Sequence, residues 1–483
     1  MSPRRPRAPR ALTALLLALV VGLPACGGDE RPNVLFIVVD TLRADHLSTH
    51  GYGWETSPRL DALAERGAVF LDCTAQSSWT MPSMMSLMTG RPVFHTLWKL
   101  PGEMPVLGDH FRGHGWRTGA VVANSLLHHD NGYARGFESW HVRAESTPHW
   151  NAEEVNRRAG DFLAADDGRP WFLWLHYLDP HHPYEPPTTP WDRDNAEVFT
   201  EGELRTIAQV VDQAPAGDRE RLSAQVPGLA DVVDRYDGEI VYTDAQIGAL
   251  LDRLEADGEL ENTLVVLVSD HGEGLFARPE HPDRIRELTE AAAAAAKNGR
   301  GDGELQLDDL LQDEHGYWMF QELIHTPFIV AGPGVAPGQR IEAMVSNLDV
   351  APTVISLAGL PAMARLPGRD HAAALATGAP IAPADVVVSA CYENQAARTP
   401  DGRKAILPLE LYERNFGLPR LRFDLSSDPE ERRPLPLDDV TKGLFEMLRD
   451  LRENDAFRQY SSNQADAETL RRLREMGYIR DGG

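Results

Sequence analysis

Thr80 opens the stretch of this sequence with the clearest chemical potential, residues 77–91, SSWTMPSMMSLMTGR. Pro82 suits a first helical turn, Ser83 can cap locally, Met85 and Met88 share a face, and Gly90 is a stop. The spacing therefore predicts a short helix over 81–89. Thr80 then stands at the helix start, beside unpaired N–H groups and the positive end of the helix dipole, where phosphate or sulfate is stabilised. By itself the pattern also describes a threonine capping a methionine-lined core helix. A second pattern turns it towards chemistry: Asp40 and the pair Asp270-His271 each close a run of apolar residues. Two carboxylates, an imidazole and the Thr80 oxygen make a mixed oxygen and nitrogen shell for one divalent cation. Such a cation would lower the pKa of the Thr80 hydroxyl, which is otherwise barely nucleophilic at neutral pH.

The elements that must hold these groups are legible as apolar runs at 33–40, 118–124, 171–179, 263–270 and 327–331. Continuous Val, Ile, Leu and Phe of this length predicts strands buried on both faces, as in a parallel sheet between helices. Helical spacing at 57–66, 231–255 and 349–358 completes a β-α alternation and an α/β architecture with a large, mostly parallel sheet. In such sheets ligands gather beyond the carboxyl ends of the strands, where Asp40, Asp179 and Asp270-His271 all lie. After about residue 380 come short strands, a Pro400-Asp401-Gly402 turn, a strand over 420–425 and a final helix near 468–476. These read as a small C-terminal antiparallel α+β domain. The expected organisation is a leader at 1–26, a catalytic domain at 32–380 and the small domain at 381–483. The catalytic domain is interrupted at 276–313 by an insert with six alanines, Ala291 to Ala296, either a helical excursion over the site or a solvated insert.

With 483 residues and 42% hydrophobic content the chain can bury a large core. Arg4, Arg5, Arg7 and Arg10 precede the apolar run 11–23, and Leu23-Pro24-Ala25-Cys26-Gly27 follows it. This pattern predicts an export signal ending in a lipobox, with Cys26 lipidated and the protein membrane-anchored outside the cytoplasm, periplasmic or at the cell surface. A plain cleaved secretory signal is the alternative. Removing the four leader arginines takes the net charge from −26 to −30, which argues against nucleic acid as a partner. An anionic ester substrate would have to be met by local positive charge from a metal, Arg or His. Cys73 and Cys391 read as small buried hydrophobes, with one disulfide between them as the other option.

Taken in order, Pro32 to Asp40 (PNVLFIVVD), the Thr80-Met81-Pro82-Ser83 to Thr89-Gly90-Arg91 signature, Asp179-Pro180-His181-His182-Pro183-Tyr184 and Tyr236 to Gly248 form one series. It continues with Ser269-Asp270-His271-Gly272-Glu273, His315-Gly316 with Glu322 and Pro327, and Phe423 to Pro429 (FDLSSDP). In this series the chain resembles the sulfatase family of the alkaline phosphatase superfamily, over nearly all of its length after the leader. The resemblance implies that family's fold. Sulfatases carry Cys or Ser at the Thr80 position, oxidised to formylglycine, with a Pro two residues on and an Arg two beyond that. Here Pro82 is kept and Met84 replaces the Arg. A secondary alcohol oxidises to a ketone, so no formylglycine hydrate can form. The family's frequent Asp-Asp pair is Asp40-Thr41, and its Gly-Lys-Trp-His segment is replaced near Ala123-Asn124-Ser125.

The set is similar to that of relatives with a threonine nucleophile, among them nucleotide phosphodiesterases, lipoteichoic acid synthases and lipid A phosphoethanolamine transferases. By that similarity Asp40, Thr80, Asp270 and His271 hold one metal ion, zinc or manganese suiting the mixed shell better than calcium. His181 and His315 would hold a second metal or contact the substrate's oxygens, with one of them protonating the leaving group. Glu273 would orient a ligand, and Arg43, Arg91 and Asn124 would meet the anion, unless Arg91 binds helix carbonyls instead. His325, just before a strand, is expected to be structural. The resulting expectation is a metal-dependent hydrolase or transferase of phosphate, phosphonate or sulfate esters working through Thr80. Phosphorus stands ahead because formylglycine, the Lys and the Arg are lost. The alternatives are sulfuric ester hydrolysis without formylglycine, and an envelope-binding lipoprotein that keeps the fold without turnover.

Overall fold

Strands form where the chain is apolar on both faces, and every residue of Asn33–Val39, Trp171–Tyr177 and Thr263–Ser269 is buried. The computed structural model describes residues 31–454, apart from short stretches at 95–98, 145–148, 281, 299–302, 313–314, 365, 392–393, 411–412 and 414–417. The leader with Cys26 and the helix expected near 468–476 lie outside the described residues.

Nine strands build the large sheet: β1 Asn33–Val39, β2 Gly67–Thr74, β3 Arg117–Val122, β4 Ser139–Val142, β5 Trp171–Tyr177, β6 Thr263–Ser269, β7 His325–Ala331, β8 Gln339–Ile341 and β9 Val345–Ser346. Their order is β4-β3-β5-β1-β6-β7-β2-β8, with β9 also on β2. From β4 to β6 all pairs are parallel. The run at 327–331, expected as one more parallel strand, instead lies antiparallel to both β6 and β2. The reason is connectivity: the four-residue helix Gln321–Ile324 leads straight into β7, and Gly272 N–H bonded to Leu323 O at 2.8 Å sets the start of β7 beside the end of β6, so the chain re-enters the sheet at that end and runs antiparallel.

Side chains alternating along β1 and β5 point into two separate cores. Leu35, Ile37, Leu173 and Leu175 pack among residues of the helices Pro58–Glu65, Ala152–Ala164 and Leu229–Ala256. Val34, Phe36, Phe172 and Trp174 pack among Met81, Met84, Met85 and Met88 of the helix Thr80–Thr89 and residues of Val350–Leu357. The insert leaves and returns through paired backbone, Phe276 N–H to Gln312 O at 2.8 Å and Gln312 N–H to Arg278 O at 2.8 Å. It carries the helix Pro282–Lys297, and Leu307 and Leu311 anchor it in the first core, so it is a rooted helical excursion.

The C-terminal strands β10 Val387–Ala390, β11 Asn394–Arg398, β12 Arg403–Pro408 and β13 Leu421–Asp424 form an antiparallel sheet. Gly402, at φ 87°, supplies the left-handed turn between β11 and β12. Missing from the pattern reading is the helix Asp439–Glu453, which sets Leu444, Phe445 and Leu448 on Ala397, Ala405 and Leu407. This sheet also grips the segment entering Thr80, through Ala390 N–H to Gln76 O at 2.8 Å and Gln76 Nε2 to Val388 O at 3.0 Å. Cys73 and Cys391 are free thiols buried in different cores, which removes the disulfide option.

Candidate active site

Parallel pairing brings the first two carboxylates together. Val39 of β1 is in register with Ser269 of β6, so the next residues, Asp40 and Asp270, emerge side by side beyond the strand ends. The turn after Asp40 is held in an uncommon conformation, with Thr41 at φ 56°. Tyr236 of the long helix clamps it, donating to Thr41 O at 2.8 Å and accepting from Arg43 N–H at 3.0 Å. On the β6 side, Gly272 is required by close approach: a Cβ there would lie 1.9 Å from Glu322 O. Ser83, expected to cap its own helix, instead donates its hydroxyl to Asp270 O, tying the helix Thr80–Thr89 to the end of β6. Thr80 is the first residue of that helix and Trp79 its cap position, one residue earlier than predicted.

Asp40, Thr80, Asp270 and His271 are all fully buried and meet around one ring nitrogen. His271 Nε2 lies 3.1 Å from Thr80 Oγ1, 3.5 Å from Asp40 Oδ1 and 3.5 Å from Asp270 Oδ2. Nδ1 of the same ring is 2.8 Å from Gly272 O, which can only accept, so the proton sits on Nδ1 and Nε2 presents a lone pair. Burial, then the neighbouring His315, hold the His271 pKa well below its usual value, which keeps the ring neutral. Among the described residues Asp40 Oδ1 and Asp270 Oδ2 have no hydrogen-bond partner, although each acid's second oxygen is satisfied, by Asn124 Nδ2 at 2.8 Å and His271 N–H at 2.9 Å. Buried carboxylate oxygens without donors are costly. The ligand atoms of Asp40, Asp270 and His271 lie within 4.8 Å of one another, so the donor set fits a divalent cation. Burial raises the Asp40 pKa, but His181, His271, His176 and the Asn124 amide outweigh it and the net shift is downward. Asp270 is pushed well up by burial and then by Asp40.

Around this centre, His315 donates Nδ1–H to Glu273 Oε1 at 2.8 Å, and its ring centroid is 4.3 Å from that of His271. Glu273 thus orients His315. His181 donates Nδ1–H to His182 O at 2.6 Å, with its ring centroid 5.1 Å from that of His315. Asn124, expected to meet the anion, is turned onto Asp40 and braces it from behind. Arg43 is buried and bidentate on Asp45, at 2.9 and 2.7 Å, with a further bond to Glu273 O at 3.2 Å, so its charge is already matched. Arg91 follows the C-terminal end of the helix that Thr80 begins, roughly 15 Å away at 1.5 Å per residue. There it donates to Ala364 O at 2.7 Å, the carbonyl-binding alternative, so it is not brought into the site. Asp179 accepts from Ala152 N–H at 2.9 Å, at the start of the helix Ala152–Ala164, and stands apart from the cation ligands. His325 Nε2 meets Leu71 O at 2.9 Å, a structural contact. Sequence reasoning missed His176, whose Nε2 lies 3.8 Å from Asp40 Oδ2. Its signal was a lone imidazole in the otherwise apolar and aromatic strand WFLWLHY.

The family model described as Sulfatase matches residues 32–360. The chain belongs to the sulfatase family. It is similar to choline-sulfatase of Rhizobium meliloti (strain 1021), 25% identical over 389 residues that cover 68% of each protein. Several solved structures share its fold. One, solved in complex with its substrate D-glucosamine-2-N,6-O-disulfate, matches with TM-score 0.63 and 19% identity, covering 91% of this sulfatase-family chain and 100% of the other. Another, the phosphonate monoester hydrolase of Agrobacterium radiobacter, matches with TM-score 0.62 and 20% identity, covering 88% and 96%. The protein is a sulfatase-like ester hydrolase, with a threonine at the head of its site helix.

Proposed function

We propose that Thr80 is the nucleophile of a cation-dependent esterase acting on phosphate or phosphonate esters. The observation that carries this reading is the convergence of the Thr80 hydroxyl and two carboxylate oxygens, without hydrogen-bond partners among the described residues, on the lone-pair nitrogen of His271. A zinc or manganese ion held by Asp40, Thr80, Asp270 and His271, or less suitably calcium, would acidify the Thr80 hydroxyl and offset charge on the ester oxygens. The Thr80 hydroxyl would release its proton to solvent, and its oxygen attacks phosphorus in line with the leaving group. As the bond to the leaving oxygen breaks, His181 or His315 donates a proton to that oxygen. Water or an acceptor alcohol then attacks the Thr80 ester, loses its proton to the same histidine, and the Thr80 oxygen departs. Free N–H groups at the start of the helix Thr80–Thr89 help hold the anion. Asp40, Asn124, Glu273 and Arg43 hold these groups in place rather than touching substrate.

A second reading, direct cleavage of sulfate esters by Thr80 without formylglycine, is favoured by the likeness to choline-sulfatase. The discriminating experiment is a panel of chromogenic phosphate mono- and diesters, phosphonates and sulfates, each assayed with zinc, manganese and calcium. Thr80→Ala should lose at least about a thousandfold in kcat on the best of them, with its melting temperature nearly unchanged. Undiminished turnover would remove Thr80 from the role. We also propose export and membrane anchoring through Cys26. Acyl-chain labelling of the expressed protein that persists in Cys26→Ser would refute it.

A further inference from the structure

The centre of the large sheet holds one polar side chain that the reading above does not use. His176, on β5, is fully buried, and neither ring nitrogen has a hydrogen-bond partner among the described residues. Its backbone neighbours across the sheet are Val38 and Val122, and its ring stands 6.2 Å from that of Trp174. A neutral imidazole always carries one N–H, and leaving it without an acceptor at that depth is costly. An apolar residue of similar size would avoid the cost. Among the described residues the carboxylate beside the ring is that of Asp40, whose Oδ2 is 3.8 Å from His176 Nε2. That oxygen already accepts from Asn124 Nδ2, while the other oxygen of the same group faces His271.

We propose that His176 is a positioning residue for the cation site. Together with Asn124 it forms a two-donor wall behind Asp40, giving Nε2–H to Oδ2 so that Oδ1 is directed at the cation. Closing the gap to an ordinary hydrogen bond takes roughly 0.9 Å, within reach of a small change in either side-chain torsion. Carboxylates that bind metals are commonly held this way, and losing such a support weakens metal affinity about 10- to 100-fold.

The inference rests on the proposed cation site, and the test separates the two. Zinc and manganese affinity, measured by competition with a metallochromic chelator, and melting in EDTA would be compared for wild type, Asp270→Asn, His176→Leu and His176→Gln. The expected result is a 10- to 100-fold loss of affinity in His176→Leu, whose metal-free form melts no lower than wild type because an unsatisfied polar group is gone. Glutamine, which carries an amide N–H to about the same place, should recover most of the affinity. A His176→Leu variant that binds as tightly as wild type would overturn the proposal. So would one whose metal-free form is destabilised and which glutamine does not rescue, since that marks an ordinary packing role. A wild type that binds no better than Asp270→Asn would sink the cation site itself, and the role of His176 with it.

Discussion

Asp270→Asn tests the electrostatics of the site from two directions. In the metal-free protein two buried carboxyl groups face each other with ligand oxygens within 4.8 Å. Two full charges at that distance repel by roughly 3.5 kcal/mol at an effective dielectric constant of about 20. The folded protein escapes much of this by holding a proton on Asp270, whose pKa is raised by burial and then by Asp40. Asparagine removes the conflict, and its Oδ1 can still accept from His271 N–H, a bond of 2.9 Å in the structure. The variant should therefore be more stable than wild type in the presence of a chelator, by about 1–3 kcal/mol at neutral pH. With a cation present the order should reverse. A ligand at a hundred times its Kd stabilises the folded state by about 2.7 kcal/mol, and a variant that has lost a charged ligand forgoes most of that. Melting curves in EDTA and in excess zinc or manganese, with metal content by elemental analysis, would show the crossing. A variant that melts below wild type in EDTA, or that still carries one ion per chain, would refute the reasoning.

Two further substitutions check the assignments that the structure redirects. Arg91→Ala should leave kcat/KM within about twofold, since the side chain is bonded to Ala364 O and follows the far end of a helix that rises roughly 15 Å from Thr80; a loss of tenfold or more would return it to the substrate. Asp179→Asn keeps the acceptor for Ala152 N–H while removing a carboxyl whose pKa burial has pushed up to about 7 from an ordinary 3.8. Because the folded state holds that proton more tightly, the wild-type contribution is complete below about pH 4 and is lost as pH rises through 7. The variant's stability relative to wild type should thus climb between pH 4 and 8 and then level off. Glu239, pushed to about 8 by burial and then by Asp179, should be relieved in the same direction. A flat difference across that range in chemical denaturation would contradict the assigned burial.

The sequence by itself determined the α/β class, because strands buried on both faces are written as unbroken apolar runs, and it marked Asp40, Thr80, Asp270 and His271, because each interrupts such a run or begins a helix. Strand β2 and the helix Asp439–Glu453 escaped, their apolar patterns being diluted by Asp, Thr, Lys and Arg. Where a long side chain points could not be read from its position in the chain. Arg43, Arg91 and Asn124 had the right chemistry and neighbourhood for an anion, yet each finds a nearer partner in Asp45, Ala364 O or Asp40. Only the tertiary structure decided this, since competition for a donor is settled by distances across the fold, between residues up to 273 positions apart in the chain. The same holds for His176. A histidine in a strand is one letter in the sequence, and its meaning comes from the adjacent strand that sets Asp40 beside it.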